Sequence, residues 1–106
     1  MQVAEIFGKL SFSTEKLTKI GLFSTDRMLC DIYCFEPEQS QKPHAHADCD
    51  KVYVVLEGRA NIQVGLEEQL LTAGQAVLAP AASEHGIANA GAERMICLVF
   101  MSPPPR

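Results

Sequence analysis

The chain has 106 residues, a formal net charge of −4 and a pI near 5.2. That length fits one domain, residues 1–106, and leaves no room for a second core. The acidic balance provides no basic patch for nucleic acid or anionic lipid. The longest apolar runs, such as Val52 to Leu56, are far too short to cross a bilayer.

The first residues, Met1-Gln2-Val3-Ala4-Glu5, lack the charged start and apolar stretch of a signal peptide, so a cytoplasmic location is the default expectation. From Ala4 to Leu10 a helical turn is the most that is expected. Strand-like runs follow, each closed by a turn signal. Leu17 to Ser24 comes first, then Met28 to Phe35, ended by Pro37. Lys51 to Leu56 is rich in β-branched residues and stops at Gly58. Arg59 to Val64 stops at Gly65, Leu66 to Thr72 at Ala73-Gly74, and Gln75 to Ala79 at Pro80. A last run, Arg94 to Met101, meets Pro103-Pro104-Pro105. Seven short strands with regular Gly or Pro punctuation predict an all-β barrel or sandwich, with a core of about residues 17–102 and a stiff proline tail at 103–106.

Four cysteines, Cys30, Cys34, Cys49 and Cys97, raise the question of disulfides. Without a secretion signal, reduced and mostly buried thiols are expected. Strand alternation puts Cys30, Ile32 and Cys34 on one face, where a free cysteine acts as a small apolar side chain. Cys49, beside the histidines described next, has the composition of an exposed loop residue, although a thiol there has the means to ligate or react.

The three histidines are the most informative residues. His44 and His46 stand two apart, so an extended strand projects both to one face. His85 comes 39 residues after His46, just beyond Pro80-Ala81-Ala82-Ser83-Glu84. Three neutral imidazoles converging from two hairpins suit one divalent transition metal (iron, nickel, copper, zinc or manganese) and leave positions open for water or substrate.

The surroundings of these histidines resemble the cupin family from about Leu17 to Pro105. The first cupin motif, HxH, then a carboxylate, then six residues to a glycine, corresponds to His44-Ala45-His46 and Lys51 through Gly58. The second corresponds to Gly74, Pro80, Ala82, His85 and Asn89. Spacing agrees at every element and residue type differs at two. The resemblance implies a double-stranded β-helix, or jelly-roll, barrel with His44, His46 and His85 as metal ligands. It does not choose a reaction, because that scaffold carries oxygenases, isomerases, decarboxylases and ligand sensors alike.

The two departures have physical weight. Ala82 stands where the family has glycine, which is comfortable only if its φ stays negative. Lys51 stands where the family places a glutamate ligand. A protonated lysine ~5 Å from a divalent ion, at an effective dielectric of ~20, is repelled by roughly 6 kcal/mol before relaxation. Lys51 therefore loses its proton, turns onto Asp48, Asp50 or a substrate carboxylate, or borders a site without metal.

Tyr53 shares strand parity with Lys51 and Val55 and is expected inside the barrel. Ile87, Leu98 and Phe100 are expected to wall an apolar pocket with it. Asn89 is expected to tie a turn, and Glu57 and Arg59 to be solvated. The leading expectation is a metal-binding small cupin whose pocket takes a small organic molecule, an anionic one included. Its chemistry would be metal-dependent oxygenation or isomerisation, with Lys51 orienting an anionic group or acting as a base. The alternative is a non-catalytic binding or sensing module. Because Lys51 to Leu56 is apolar on both faces beyond its first residue, and a strand of that kind needs cover on both, a homodimer is also expected.

Overall fold

A computed structural model describes residues 1–105. After one 3-10 turn at Ile6–Gly8 come nine strands: β1 (Thr18–Ser24), β2 (Leu29–Phe35), β3 (Ser40–His44), β4 (Asp50–Glu57), β5 (Arg59–Val64), β6 (Glu67–Thr72), β7 (Ala76–Ala79), β8 (His85–Asn89) and β9 (Met95–Ser102). They form two antiparallel sheets, one ordered β1-β2-β9-β4-β7 and the other β3-β8-β5-β6. This is the expected double-stranded β-helix. Among the described residues no helix is long and apolar enough to cross a membrane.

Seven strands fall where hydrophobic alternation and Gly or Pro punctuation place them. The two extra strands, β3 and β8, read Ser-Gln-Lys-Pro-His and His-Gly-Ile-Ala-Asn, compositions with almost no strand propensity. Pro43 is tolerated because β3 is a sheet edge. Gly86 favours the close pairing: a Cβ there would lie 3.0 Å from the Pro43 nitrogen and 3.1 Å from the Gln41 carbonyl oxygen, so β3 would have to give way by a few tenths of an ångström. With no side chain in the way, β3 closes on β8, the register shifts between Gln41 and His44, and His44 ends directly opposite His85.

Between the sheets lies the core. Tyr33, Phe35, Tyr53, Val55, Cys97, Val99 and Met101 point inward from the five-stranded sheet and meet Ala60, Ile62, Leu71 and Ile87 from the other. The outer face of the five-stranded sheet has its own apolar layer. Ile32, Cys34 and Ile96 are fully buried there beneath Ile6, Leu10 and Phe12 of the N-terminal segment, with Ile20, Leu22, Leu56 and Leu98 around them. Burying each such side chain contributes about 1.5–3 kcal/mol, so the N-terminal segment is part of the fold. Much of the second-face cover expected from another subunit is thus supplied by the chain itself. One row, all but Cys30, stays partly exposed, however. Register aligns Phe23, Cys30, Phe100, Val52 and Leu78 across all five strands, and Leu78 and Phe100 are 55% and 38% exposed.

All four cysteines are free and buried. Cys49 is a correction: its thiol is packed into the core at the start of β4, where burial pushes its pKa up, and it is not an exposed loop residue.

Candidate metal centre and its cavity

His44 closes β3 and His85 opens β8, and the two are direct partners across the ladder, with ring centroids 4.4 Å apart. His46 lies just past the end of β3, so the two motif histidines do not share one strand as expected. Its ring still turns back to 5.1 Å from His44 and 5.7 Å from His85. One donor nitrogen from each of the three lies within 4.8 Å of the others. The loops holding them are pinned together. The Ala82 N–H donates to the His46 carbonyl at 2.7 Å, and the Ala81 N–H to the Asp50 carboxylate at 2.8 Å. Asp50 is therefore a loop tie and takes no place beside the histidines.

Two of the rings have their tautomer set by the backbone. Nδ1 of His44 lies 2.8 Å from the Lys42 carbonyl and Nδ1 of His85 lies 3.0 Å from the Ser83 carbonyl. A carbonyl only accepts, so each Nδ1 carries the proton and each Nε2 presents a lone pair. Nε2 of His85 is buried without any hydrogen-bond partner, the single such side-chain atom among the described residues. Burial, with His44, Lys51 and His46 adding to it, moves the His85 pKa down to about 4 against the opposing Ser83 hydrogen bond. Burial likewise lowers that of His46. An orphaned, deprotonated imidazole nitrogen facing two others is the donor set a borderline divalent ion requires, so these residues fit a metal.

Lys51 is almost wholly buried and turns onto the opposite wall. Its Nζ donates to the Gln41 side-chain oxygen at 3.1 Å and to the Tyr33 hydroxyl at 3.3 Å, and lies 5.1 and 4.8 Å from the Tyr33 and Tyr53 ring centroids. Burial first, then the charge of Lys19, brings its pKa down to about 8. Neither Asp48 nor Asp50 takes it, in contrast to one of the expected arrangements. Tyr53 points inward as expected, its hydroxyl donating to the same Gln41 oxygen at 2.8 Å and its ring 6.2 Å from that of His85. Ile87 is packed in the barrel core two residues past His85.

Leu98 and Phe100 are corrections. Cys97, Val99 and Met101 take the inward positions of β9, so Leu98 joins the outer layer and Phe100 the partly exposed outer row. Asn89 ties the turn, as expected, by donating to the Glu93 carbonyl.

A cavity of about 460 Å³ joins the two walls, bordered by His44 and His46 on one side and by Lys19, Asp31, Tyr33 and Lys51 on the other. Lys19, Asp31, Tyr33 and Gln41 were not foreseen. Their signal was present in β2: with Cys30, Ile32 and Cys34 on one face, Asp31 must share the other with Tyr33 and Phe35, and a charged residue among inward positions marks a lined cavity. Pro105 also borders the cavity, so the proline tail runs past its mouth.

A cupin domain model matches residues 31–101, and the chain belongs to the cupin family. It is 36% identical over 95 residues to an uncharacterized protein of Streptomyces coelicolor, covering 90% of this chain and 79% of that one. The crystal structure of TT1209 from Thermus thermophilus is 41% identical and superposes with a TM-score of 0.96, covering 99% of this chain and 100% of that one. An RmlC-like cupin from Desulfovibrio desulfuricans, 21% identical, shares the fold with a TM-score of 0.87 over 98% of both chains.

Proposed function

We propose that this cupin binds one divalent transition metal through His44, His46 and His85 and acts on a small organic molecule held in the adjoining cavity, by oxygenation or isomerisation. The observation that carries this reading is the buried, unpartnered Nε2 of His85 beside two further imidazoles. When bound, the metal supplies Lewis-acid or redox chemistry. The chain's own residues do the rest. The Lys42 and Ser83 carbonyls hold His44 and His85 in the ligating tautomer. Gln41 borders the cavity and accepts the hydrogen bond of the Tyr53 hydroxyl, while Tyr53 and Ile87 lie buried in the barrel core and do not line the cavity themselves. Metal analysis of protein purified without a histidine tag tests the reading. Stoichiometric metal in the wild type and none in His85→Ala supports it; metal-free wild type that also ignores added zinc, nickel, iron or manganese removes it.

Lys51 at the place of the family's carboxylate favours a second reading, a binding or sensing module without turnover. Product formation by metal-loaded protein decides between them. The exposed Leu78 and Phe100, flanked by the partly exposed Phe23 and Val52, support the further proposal of a homodimer joined through this sheet. Light scattering at tens of micromolar checks it, with Leu78→Lys expected to yield monomer.

A further inference from the structure

Among the described residues Lys51 is the only buried lysine or arginine, and its hydrogen-bond partners are two neutral oxygens. A buried ammonium held only by neutral groups and aromatic faces is poorly compensated until an anion approaches it. Asp31 borders the same cavity, yet neither Lys51 nor Lys19 closes an ion pair with it; the one salt bridge among the described residues is Arg94 with Glu36, far along the chain. Lys19 reaches over the ring of Tyr33 at 5.2 Å while Lys51 reaches the same ring at 5.1 Å, so two cations gather at one tyrosine. Lys42 lies on the cavity's border as well. Three lysines against one carboxylate make this a positive cavity in a protein whose net charge is −4. Such local reversal in a concave site draws anions in. The β-register explains the gathering: Lys51 lies one row beyond Tyr53 on the inward face, and Lys19, exposed on the edge strand β1, stands opposite Tyr33.

We infer that the cavity takes a small organic acid, its carboxylate seated against Lys51 and Lys19 at Tyr33 and its other end directed to His44 and His46. This rests on the reading of the cavity as a ligand pocket and names the class of molecule it selects. The test compares lactate and malonate with their neutral amides, lactamide and malonamide, by calorimetry at constant ionic strength, on metal-free and zinc-loaded protein. In metal-free wild type at least one acid is expected to bind about ten-fold or more tightly than its amide, a preference supplied by charge-assisted hydrogen bonds. Lys51→Met should bring that ratio to about one, and Lys19→Met should reduce it several-fold. Equal binding of acids and amides in wild type overturns the inference, as does a ratio that survives in Lys51→Met. Acid binding seen only with zinc, and unchanged in Lys51→Met, also overturns it, by placing the acid on the histidines alone. Protein that takes no metal yet keeps the acid preference overturns the metal reading and leaves this one standing. Should Lys51→Met fail to fold, the acid-to-amide ratio in wild type and Lys19→Met decides.

Discussion

The two walls of the cavity come from different sheets and offer opposite chemistry. The four-stranded sheet and its loops bring lone pairs, through His44 and His46 at the cavity and His85 buried beside them. The five-stranded sheet brings donors and positive charge, through Lys19, Tyr33 and Lys51. In the family pattern this chain resembles, a glutamate at the position of Lys51 would make both walls ligands of one ion. Under the proposed reading, the exchange of one side chain would divide the cavity into a place for a cation and a place for an anion. The Lys51 ammonium is held by Tyr33 and Tyr53 of its own sheet and by Gln41, three residues before His44 on the facing strand β3, and makes no hydrogen bond to the histidines.

The largest expected effect comes from dismantling the lone-pair wall. His85→Ala should lower zinc affinity on the order of 100-fold or more, since loss of groups that merely support a ligand already costs 10–100-fold. A competition titration against a chelating dye measures it. Unchanged affinity would mean that the cluster is not the metal site.

The same histidine sets a pH dependence in metal-free protein. Its pKa is about 4 in the fold and near its ordinary value of 6.5 when unfolded. Between those values the unfolded chain binds more protons, so stability rises with pH, is fully present above pH 6.5, and is lost as pH falls towards 4. The loss is expected to reach about 2–3 kcal/mol and to shrink to the smaller part owed to His46 in His85→Phe, as read from urea unfolding at a series of pH values.

The opposite wall answers with the other half of the pH range. Lys51 falls from 10.5 to about 8 on folding, so the unfolded chain again binds more protons between these values and stability rises with pH across them. At neutral pH the buried ammonium therefore costs stability. Lys51→Met should stabilise the protein by about 1–3 kcal/mol and flatten the alkaline rise. Lys51→Glu should instead tighten zinc binding, merging the two walls into one ligand set. If zinc affinity is the same in wild type and both variants, Lys51 is electrostatically remote from the histidines.

How far all this was legible in the sequence differs between the walls. The histidines announced themselves by spacing, because the family motif fixes residue type and interval together. The seven apolar strands were equally plain, since alternation and punctuation are local signals. What escaped was whatever depends on pairing. β3 and β8 have no strand composition, and Gly86 favours their close pairing by admitting Pro43 at close range. Lys19 and Asp31 reach the cavity by register across β1 and β2. Leu98 and Phe100 were misplaced because β9 is apolar on both faces, so composition carried no parity; Cys97, Val99 and Met101 hold the inward positions instead.

The smallest expected effect concerns the seat of the lone-pair wall. Ala82 stands where the family has glycine, and its φ is +69°, the left-handed region in which a Cβ crowds the following carbonyl. The strain is held in place because the Ala82 N–H donates to the His46 carbonyl at 2.7 Å, in the loop that leads to His85. Ala82→Gly removes about 1–2 kcal/mol of backbone strain and gives back about 0.4–1 kcal/mol through the freer unfolded chain. A net gain of roughly 0.5–1 kcal/mol is expected, raising Tm by about 2–6 °C in a domain of this size. Ala82→Val, β-branched at positive φ, should shift Tm the other way. Zinc affinity should stay within about two-fold in Ala82→Gly, because the hydrogen bond to His46 comes from the backbone and survives the change. A fall in Tm for Ala82→Gly would show that the alanine methyl contributes packing that outweighs its strain. A loss of zinc affinity with Tm unchanged would show that the loop needs its strain to hold His46 beside the other two rings.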